Sequence, residues 1–172
     1  MVWVPELRAA GDVTLNPGGL HFHCPMPDRA QPARLRTLLG SCVSVVLWHP
    51  ERRIGGMSHI ILPCRKERSE AEPPDPRYAD EAIAMFYRNL IRAGTMPQQY
   101  QVYVVGGSQM YVIEQPTYSV GTRNVEATRI QLQQAGFRVH AEHVGTQYHR
   151  KVDLDLGTGE VTVTWNHQRT QL

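Results

Sequence analysis

Two residues in the first half of the chain have side chains that could together perform nucleophilic chemistry. Cys42 ends the short segment Gly40-Ser41-Cys42 and precedes one apolar run, and His59 lies within the next. The thiolate is the nucleophilic form of cysteine, and an adjacent imidazolium lowers the free-cysteine pKa of about 8.5. A Cys42/His59 pair therefore predicts attack on a carbonyl carbon at neutral pH.

Two β-prone runs must position this pair. Residues 43–48 and 54–62 are rich in valine, isoleucine and leucine, and Pro50 with its charged neighbours separates them. Two runs of this kind on either side of a short breaker predict a β-hairpin.

The register of this hairpin decides whether the two side chains meet. If the loop begins after Trp48 and ends before Arg53, Cys42 lies directly opposite His59 on one face, with Cβ atoms about 5 Å apart. The pair Gly55-Gly56 in the second strand could mark a bulge, which would shift His59 off this position. Without further features, a buried hydrophobic cysteine and a core histidine would explain the same pattern.

The pair lies within a longer set of motifs. Residues 37–63 read TLLGSCVSVVLWHPERRIGGMSHIILP, with the cysteine in LGSCV and the histidine in HxxLP. Further motifs follow at residues 77–80 (RYAD), 106–110 (GGSQM) and 121–127 (GTRNVEA). Together they resemble the CheD family of chemoreceptor glutamine deamidases, and their shared order makes the match more specific than LGSCV alone. The resemblance extends from about residue 14 to about residue 163.

The resemblance implies an enzyme that hydrolyses particular glutamine side chains of methyl-accepting chemotaxis receptors to glutamates. Cys42 would be the nucleophile, and His59 would be the general base that takes the thiol proton and later protonates the departing ammonia. No cofactor is implied. The implied partners are the cytoplasmic region of a chemoreceptor and, as a second candidate, a CheC-type phosphatase.

Residues around the pair are candidates for oxyanion stabilisation and substrate binding. Backbone N–H groups at Gly40 and Ser41 are the nearest donors to Cys42, since glycine permits a turn in which amides converge. Arg123 and Asn124, at the start of the second predicted helix, could bind a substrate carbonyl or cap and anchor that helix. The sequence leaves both interpretations open.

Two positions depart from the family pattern. The family usually has a threonine six residues before the cysteine, where this chain has Arg36, and Thr37 is the nearest residue that could orient the histidine. Because successive side chains of a strand point to opposite faces, Thr37 does not simply replace a residue at position 36. Residues 143–146 read HVGT, where the family tends to have an acidic residue followed by x-Gly-Gly.

Two other functional classes remain open. The chemistry of the pair does not distinguish a glutamine side chain from a peptide bond, so another thiol amidase or a cysteine peptidase is one alternative. The other is a CheD-like module that binds receptors or a CheC-type phosphatase, with catalysis weakened by Arg36. The intact Cys42 and His59 favour the enzymes.

Composition limits the class of protein. With 172 residues and 41% hydrophobic content, the chain suits a single domain over residues 1–172. Its formal net charge of +2 and the lack of a basic stripe argue against a nucleic-acid partner, and the lack of a long apolar run argues against membrane insertion. Three cysteines without C-x-x-C spacing fit a reducing compartment, so we expect a cytoplasmic protein.

Three other segments have plain explanations. The histidines and cysteine of residues 21–24, and the three histidines of residues 140–149, lack a recognised zinc spacing, so we predict no metal site. The segment Gly106-Gly107-Ser108 lacks the Gly-Lys-Ser/Thr of a phosphate loop. It predicts a tight turn near the active face instead.

The pattern of elements predicts an α+β fold. Two helices, at residues 79–93 and 124–135, are expected among many short strands, several of them in hairpins. Residues 1–33 are expected to be irregular, and the charged, proline-rich residues 64–76 to form an exposed loop. The family resemblance implies a three-layer α/β/β sandwich with mixed sheets, similar to the catalytic domain of cytotoxic necrotizing factor toxins.

Overall fold

Strands outnumber helices in the part of the chain that the structure describes. The computed structural model describes residues 11–26, 31–67, 69, 71–109 and 119–172. In chain order the elements are β1 (Val13–Thr14), β2 (Leu20–His23), β3 (Arg34–Leu39), β4 (Val43–His49), β5 (Ile54–Ser58), α1 (Ala79–Arg92), a 3-10 turn (Pro97–Gln99), β6 (Gln101–Gly106), α2 (Val120–Gln134), β7 (Val139–Val144), β8 (Arg150–Asp155), β9 (Val161–Trp165) and β10 (Gln168–Gln171).

These strands form two five-stranded mixed sheets. The central sheet has the order β2-β5-β4-β6-β7, in which β6 and β7 are parallel and the other neighbours are antiparallel. The second sheet has the order β1-β3-β8-β9-β10, in which β1 and β3 are parallel and the other neighbours are antiparallel. The predicted α+β class is confirmed.

Alternation along β4 explains how the central sheet is covered on both faces. Val45 and Leu47 pack with Phe86 of α1 in one apolar core. Val46 and Trp48 point to the opposite face and pack with residues of β3, β8 and β9 in a second core. A strand that is buried on both faces reads as a continuous apolar run, as β4 does. The helices, the central sheet and the second sheet therefore stack in that order.

Both helices begin and end at recognisable signals. The Ser119 hydroxyl caps α2 by accepting a hydrogen bond from the Thr122 N–H, so this helix begins four residues before its predicted start. Gly94 and Gly136 follow the two helices with positive φ angles, which terminates each of them. Within the described residues, neither helix combines the length and apolar character that crossing a bilayer requires.

The N-terminal region differs from its prediction. Residues 11–33, expected to be irregular, contain β1 and β2, which pair with β3 and β5. A two-residue strand has no measurable period, and β2 is an edge strand that is mostly half-buried, so neither has the alternation that predicts a strand. The described residues of 64–76 form no helix or strand, and most of them are exposed.

Candidate active site

The candidate site lies at one end of the interface between the two sheets. Cys42 immediately precedes β4, and its half-buried side chain packs against the core between the sheets. His59 immediately follows β5 and is 3% exposed. Thr37 lies in β3 of the second sheet and is 2% exposed. Three separate segments therefore contribute to this site.

The register of the β4–β5 hairpin differs from the predicted one. Trp48 pairs with Gly55 and His49 with Ile54, so the four-residue loop lies one residue later than expected and the partners shift by two residues. In this register His59 is level with Ser44, and Cys42 is its diagonal neighbour rather than its direct partner. A shift of two residues keeps both side chains on one face as diagonal neighbours, and among the described residues no hydrogen bond joins the Cys42 thiol to His59 Nε2. The predicted direct opposition was wrong, and no bulge is present at Gly55-Gly56.

Thr37 fixes the orientation of the His59 ring. The Thr37 hydroxyl lies 2.7 Å from His59 Nδ1 and donates a hydrogen bond to the Leu15 carbonyl at 2.8 Å. A hydroxyl has one proton, so a Thr37 hydroxyl that donates to Leu15 accepts from the Nδ1–H of His59. The ring then carries its proton on Nδ1. Nε2 is left as an acceptor, and among the described residues it is buried without a hydrogen-bond partner.

A tight turn between β1 and β2 holds the backbone of His59. The His59 N–H donates to the Gly19 carbonyl at 2.8 Å, and the Gly18 N–H donates to the His59 carbonyl at 2.9 Å. Pro17 followed by Gly18 with φ of +79° fits a type II turn, which the Gly19 N–H closes by donating to Asn16. Sequence reasoning missed this turn, although Asn-Pro-Gly-Gly is a strong turn signal.

The loop after β6 holds the turn that carries the thiol. The Gly107 N–H donates to the Cys42 carbonyl at 2.7 Å, and the Ser108 N–H donates to the Gly40 carbonyl at 2.9 Å. A Cβ atom at Gly106, whose φ is +116°, would lie 2.2 Å from the Cys42 carbonyl oxygen. Only glycine permits this approach. Gly106 and Gly107 both have positive φ angles where the sequence predicted a tight turn, but the loop is held by residues 40 and 42 and not by a turn hydrogen bond of its own among the described residues.

Asn124 ties together the two segments that carry the pair. Its side chain is fully buried, and Nδ2 donates to the Ser41 carbonyl at 3.2 Å and to the Ile61 carbonyl at 2.8 Å. Asn124 therefore attaches α2 to these two segments, whereas Ser119 caps the helix. Its neighbour Arg123 is exposed and lines an open groove of about 700 Å³.

The turn before β4 also presents unused backbone donors. Among the described residues, no acceptor receives a hydrogen bond from the N–H of Ser41 or of Cys42. The carbonyls of Gly40, Ser41 and Cys42 are all bound by neighbours, as described above, which fixes the peptide planes. Fixed, unpaired N–H groups beside a nucleophile are the arrangement that stabilises an oxyanion.

Burial sets the protonation states of the pair. Desolvation raises the pKa of the Cys42 thiol above its ordinary value. Desolvation also lowers the pKa of His59, which the Leu15 carbonyl opposes to a smaller extent. Both shifts favour a neutral thiol beside a neutral imidazole. These directions favour the neutral pair over the thiolate–imidazolium pair that the sequence suggested.

Arg36 faces away from the site. Its Nε donates to Asp153 on the neighbouring strand β8 at 2.9 Å, and its Nη2 lies 3.0 Å from Asp12. Because Thr37 is directed into the protein, Arg36 is directed to the outer surface of the second sheet. The arginine has no contact with Cys42 or His59 in the described hydrogen bonds and ion pairs.

The potential metal ligands do not assemble. Within the described ranges, no three histidine, cysteine or acidic side chains come together as a metal site would require. Cys24 is exposed, and His143 accepts a hydrogen bond from Arg150 through Nδ1. His140 lies against the ring of Tyr103 instead.

The family model and the sequence relatives that match this chain belong to the same family. The family model described as CheD chemotactic sensory transduction matches residues 61–165. A Pseudomonas savastanoi protein named probable chemoreceptor glutamine deamidase CheD is 39% identical over 155 residues, covering 88% of this chain and 83% of the relative. A Dechloromonas aromatica protein named probable chemoreceptor glutamine deamidase CheD 3 is 40% identical over 153 residues, covering 87% and 85%.

One solved structure has a looser likeness. The Bacillus licheniformis hypothetical protein YfiH matches with a TM-score of 0.42 and 14% identity, over 72% of this chain and 49% of that one. The sequence relatives cover most of both chains, and the family model covers more than half of this one. From its motifs and these matches, the chain belongs to the CheD family.

Proposed function

We propose that this protein hydrolyses glutamine side chains of chemoreceptors to glutamates, with Cys42 as the nucleophile and His59 as the general base. The observation that carries the proposal is the hydrogen bond between Thr37 and His59 Nδ1, which leaves Nε2 as the free acceptor on the face shared with Cys42. The names of the relatives support the same reaction and substrate.

The first half-reaction transfers the acyl group to the thiol. His59 Nε2 takes the proton of the Cys42 thiol as the sulfur attacks the Cδ carbon of the glutamine side chain. The imidazolium then gives that proton to the amide nitrogen of the tetrahedral intermediate, and the C–N bond breaks. Ammonia leaves, and the substrate is held as a thioester on Cys42.

The second half-reaction returns the enzyme to its starting state. His59 Nε2 takes a proton from water, and the resulting hydroxide attacks the thioester carbon. The C–S bond breaks, the sulfur recovers its proton from the imidazolium, and glutamate is released. The same nitrogen therefore serves as acid and base in both halves, which requires a ring held in one orientation by Thr37.

The backbone would stabilise the intermediates. Negative charge develops on the former amide oxygen in both half-reactions, and the free N–H groups of Ser41 and Cys42 are the donors in the turn. Asn124 contributes by holding the Ser41 carbonyl and thus the peptide plane that precedes Cys42. Gly40 directly precedes these donors, with its carbonyl held by the Ser108 N–H, and Arg123 lines a groove that substrate could occupy.

The cellular setting follows from the proposed substrate. The cytoplasmic region of a methyl-accepting chemotaxis receptor would be the main partner, and the protein would act in the cytoplasm. A CheC-type phosphatase is a further potential partner. The likeness of the layers to the catalytic domain of cytotoxic necrotizing factor toxins stays a prediction.

One experiment separates the proposed function from the two alternatives. The wild type and Cys42→Ala would be incubated with a receptor cytoplasmic fragment, and glutamine-to-glutamate conversion would be followed by peptide mass spectrometry. Conversion by the wild type alone supports the proposal. Cleavage of the fragment would instead identify a peptidase, and receptor binding without Cys42-dependent chemistry would identify a binding module.

A further inference from the structure

A fully buried arginine lies behind the turn that carries the thiol. Arg150, the first residue of β8, is 0% exposed and pairs in the sheet with Leu39, immediately before Gly40. Its guanidinium is not part of the proposed chemistry. Burying an arginine is costly unless its donors are satisfied, so its surroundings indicate what it stabilises.

The guanidinium donates hydrogen bonds to three parts of the chain: His143, Ser108 and residues 145–146. Nε donates to His143 Nδ1 at 2.7 Å, and Nη1 donates to the Ser108 hydroxyl at 2.5 Å. Nη2 donates to the Gly145 carbonyl at 2.6 Å and to the Thr146 hydroxyl at 2.7 Å. These acceptors include the residues at 143–146 that depart from the family pattern.

All of these acceptors are neutral. Among the described residues, no carboxylate forms an ion pair with Arg150, and the Tyr148 ring lies 4.7 Å from the guanidinium carbon. His143 can accept from Arg150 only while Nδ1 is unprotonated, and burial followed by the charge of Arg150 lowers its pKa. Charge-assisted hydrogen bonds are stronger than neutral ones, so this arginine holds its acceptors firmly.

One of those acceptors leads to the nucleophile. The Ser108 hydroxyl accepts from Arg150 and donates to the Tyr148 carbonyl at 2.7 Å, which uses its single proton. The N–H of the same serine holds the Gly40 carbonyl at 2.9 Å, and its neighbour Gly107 holds the Cys42 carbonyl. A fixed Ser108 therefore fixes both ends of the turn that carries the thiol.

We propose that Arg150 is a positioning residue, which orients the Cys42 turn for attack through its hydrogen bond to Ser108. The proposal rests on the proposed role of Cys42 as nucleophile. Arg150 touches no substrate atom and acts through the Gly106–Ser108 loop. The Ser108 hydroxyl connects the arginine to this loop, whereas the Thr146 hydroxyl is bound to the arginine alone among the described residues. The backbone of residues 145 and 146 also holds the loop, through Gly145 N–H to Gly106 and Gln109 N–H to Thr146, and an alanine at position 146 keeps both of these bonds.

The test compares the two hydroxyl acceptors of Arg150. Ser108→Ala removes the acceptor on the nucleophile side, and Thr146→Ala removes one on the opposite side while the Gly145 carbonyl remains bound to Nη2. For deamidation of a receptor fragment, we expect Ser108→Ala to lower kcat about ten- to a hundredfold, as displaced reactive groups do, with KM changed less than about twofold. Thr146→Ala should change both constants by less than about twofold.

A second readout follows Cys42 without substrate. The rate at which iodoacetamide alkylates Cys42, measured on its own peptide by mass spectrometry, should change in Ser108→Ala and stay at the wild-type value in Thr146→Ala. The melting temperature should fall more in Ser108→Ala, which leaves Nη1 and the Tyr148 carbonyl without this partner, than in Thr146→Ala, where Nη2 stays bound to the Gly145 carbonyl, so both variants are assayed well below their melting transitions. Arg150→Lys should lower kcat at least as much as Ser108→Ala does, since a lysine ammonium cannot replace the planar guanidinium that binds His143, Ser108 and residues 145–146 together.

The outcomes are distinct. Equal changes of kcat and of alkylation rate in Ser108→Ala and Thr146→Ala, or no change in either, would overturn the positioning role. An Arg150→Lys chain that does not fold leaves this comparison intact, because both alanine variants keep the arginine. If the wild type deamidates no receptor glutamine, the proposed function fails, while the alkylation rates still decide the role of Arg150.

Discussion

Thr37 and Arg36 are adjacent in β3 and have opposite surroundings. The Thr37 hydroxyl is buried and bridges His59 Nδ1 and the Leu15 carbonyl at 2.7 and 2.8 Å. Arg36 is partly exposed and forms ion pairs with Asp153 and Asp12 at 2.9 and 3.0 Å on the outer face. The two positions have hydrogen bonds of similar length, but only the inward one contacts the proposed catalytic pair.

The difference shows that two residues with hydrogen bonds of similar length can differ in their importance for catalysis. Exposed ion pairs are worth about 0 to 1 kcal/mol, because water and salt screen them. A buried hydroxyl that is lost leaves its partner without a hydrogen bond in a desolvated place, which costs about 1 to 3 kcal/mol. The inward residue is therefore expected to matter to both the ring of His59 and the chemistry.

The largest effect is expected at His59 itself. His59→Gln removes the general base and should lower kcat about a hundred- to ten-thousandfold. His49 is the matched control, since it is also buried, has a pKa lowered by desolvation and has an Nε2 without a hydrogen-bond partner among the described residues, but lies at the other end of β4. His49→Gln should leave kcat within about twofold. Comparable losses in the two variants would show that fold stability, not base catalysis, is measured.

The adjacent pair in β3 gives the next largest effect. Thr37→Ala should lower kcat about ten- to a hundredfold because His59 loses its orienting partner, and Thr37→Ser should restore most of it. Arg36→Thr, which introduces the residue type that the family usually has there, should stay within about twofold of the wild type. The rates would come from deamidation of the same receptor fragment. A loss at Arg36 equal to that at Thr37 would contradict the assignment of the two faces.

The buried hydrogen bonds of Asn124 are expected to contribute to the stability of the fold. Asn124→Ala leaves the Ser41 and Ile61 carbonyls without their donor and should lower the free energy of unfolding by about 2 to 3 kcal/mol. Thr128→Val, one turn later in α2, removes a buried hydroxyl that has no partner among the described residues, and should change it by less than about 1 kcal/mol. Urea unfolding measures both, and equal losses would refute the anchoring role.

The smallest effect is a shift along the pH axis. Burial raises the pKa of Cys42 and lowers that of His59. The rate of Cys42 alkylation by iodoacetamide should therefore rise with pH along a titration curve whose midpoint lies above the ordinary cysteine value of about 8.5. A thiolate–imidazolium pair would already be at its plateau near neutral pH. A plateau at neutral pH would therefore contradict the neutral resting pair and restore the interpretation made from the sequence.

Local signals account for what the sequence predicted. The α1 helix, the continuous apolar strand β4 and the positive φ angles at Gly106 and Gly107 each follow from neighbouring residues. The hairpin register does not follow from neighbouring residues, because the charged loop residues fit a loop that ends before Arg53 and a loop that includes Arg53 equally well. Arg53 has a φ of +52°, which places it within the turn.

Long-range contacts account for what the sequence did not predict. Nothing near Asn124 in the chain indicates that it binds carbonyls at Ser41 and Ile61. The same holds for Arg150, whose burial depends on the loop after β6. The turn at residues 16–19 was readable as a turn, but its bonds to His59 depend on tertiary packing.

The most direct measurement of the central claim is capture of the thioester. Wild-type protein would be mixed with a receptor peptide that contains the modified glutamine, quenched in acid within the first turnover and analysed by intact and peptide mass spectrometry. We predict an adduct with the mass of both chains less one ammonia, located on Cys42, that is absent from Cys42→Ala. Deamidation that proceeds without this adduct and continues in Cys42→Ala would contradict the account.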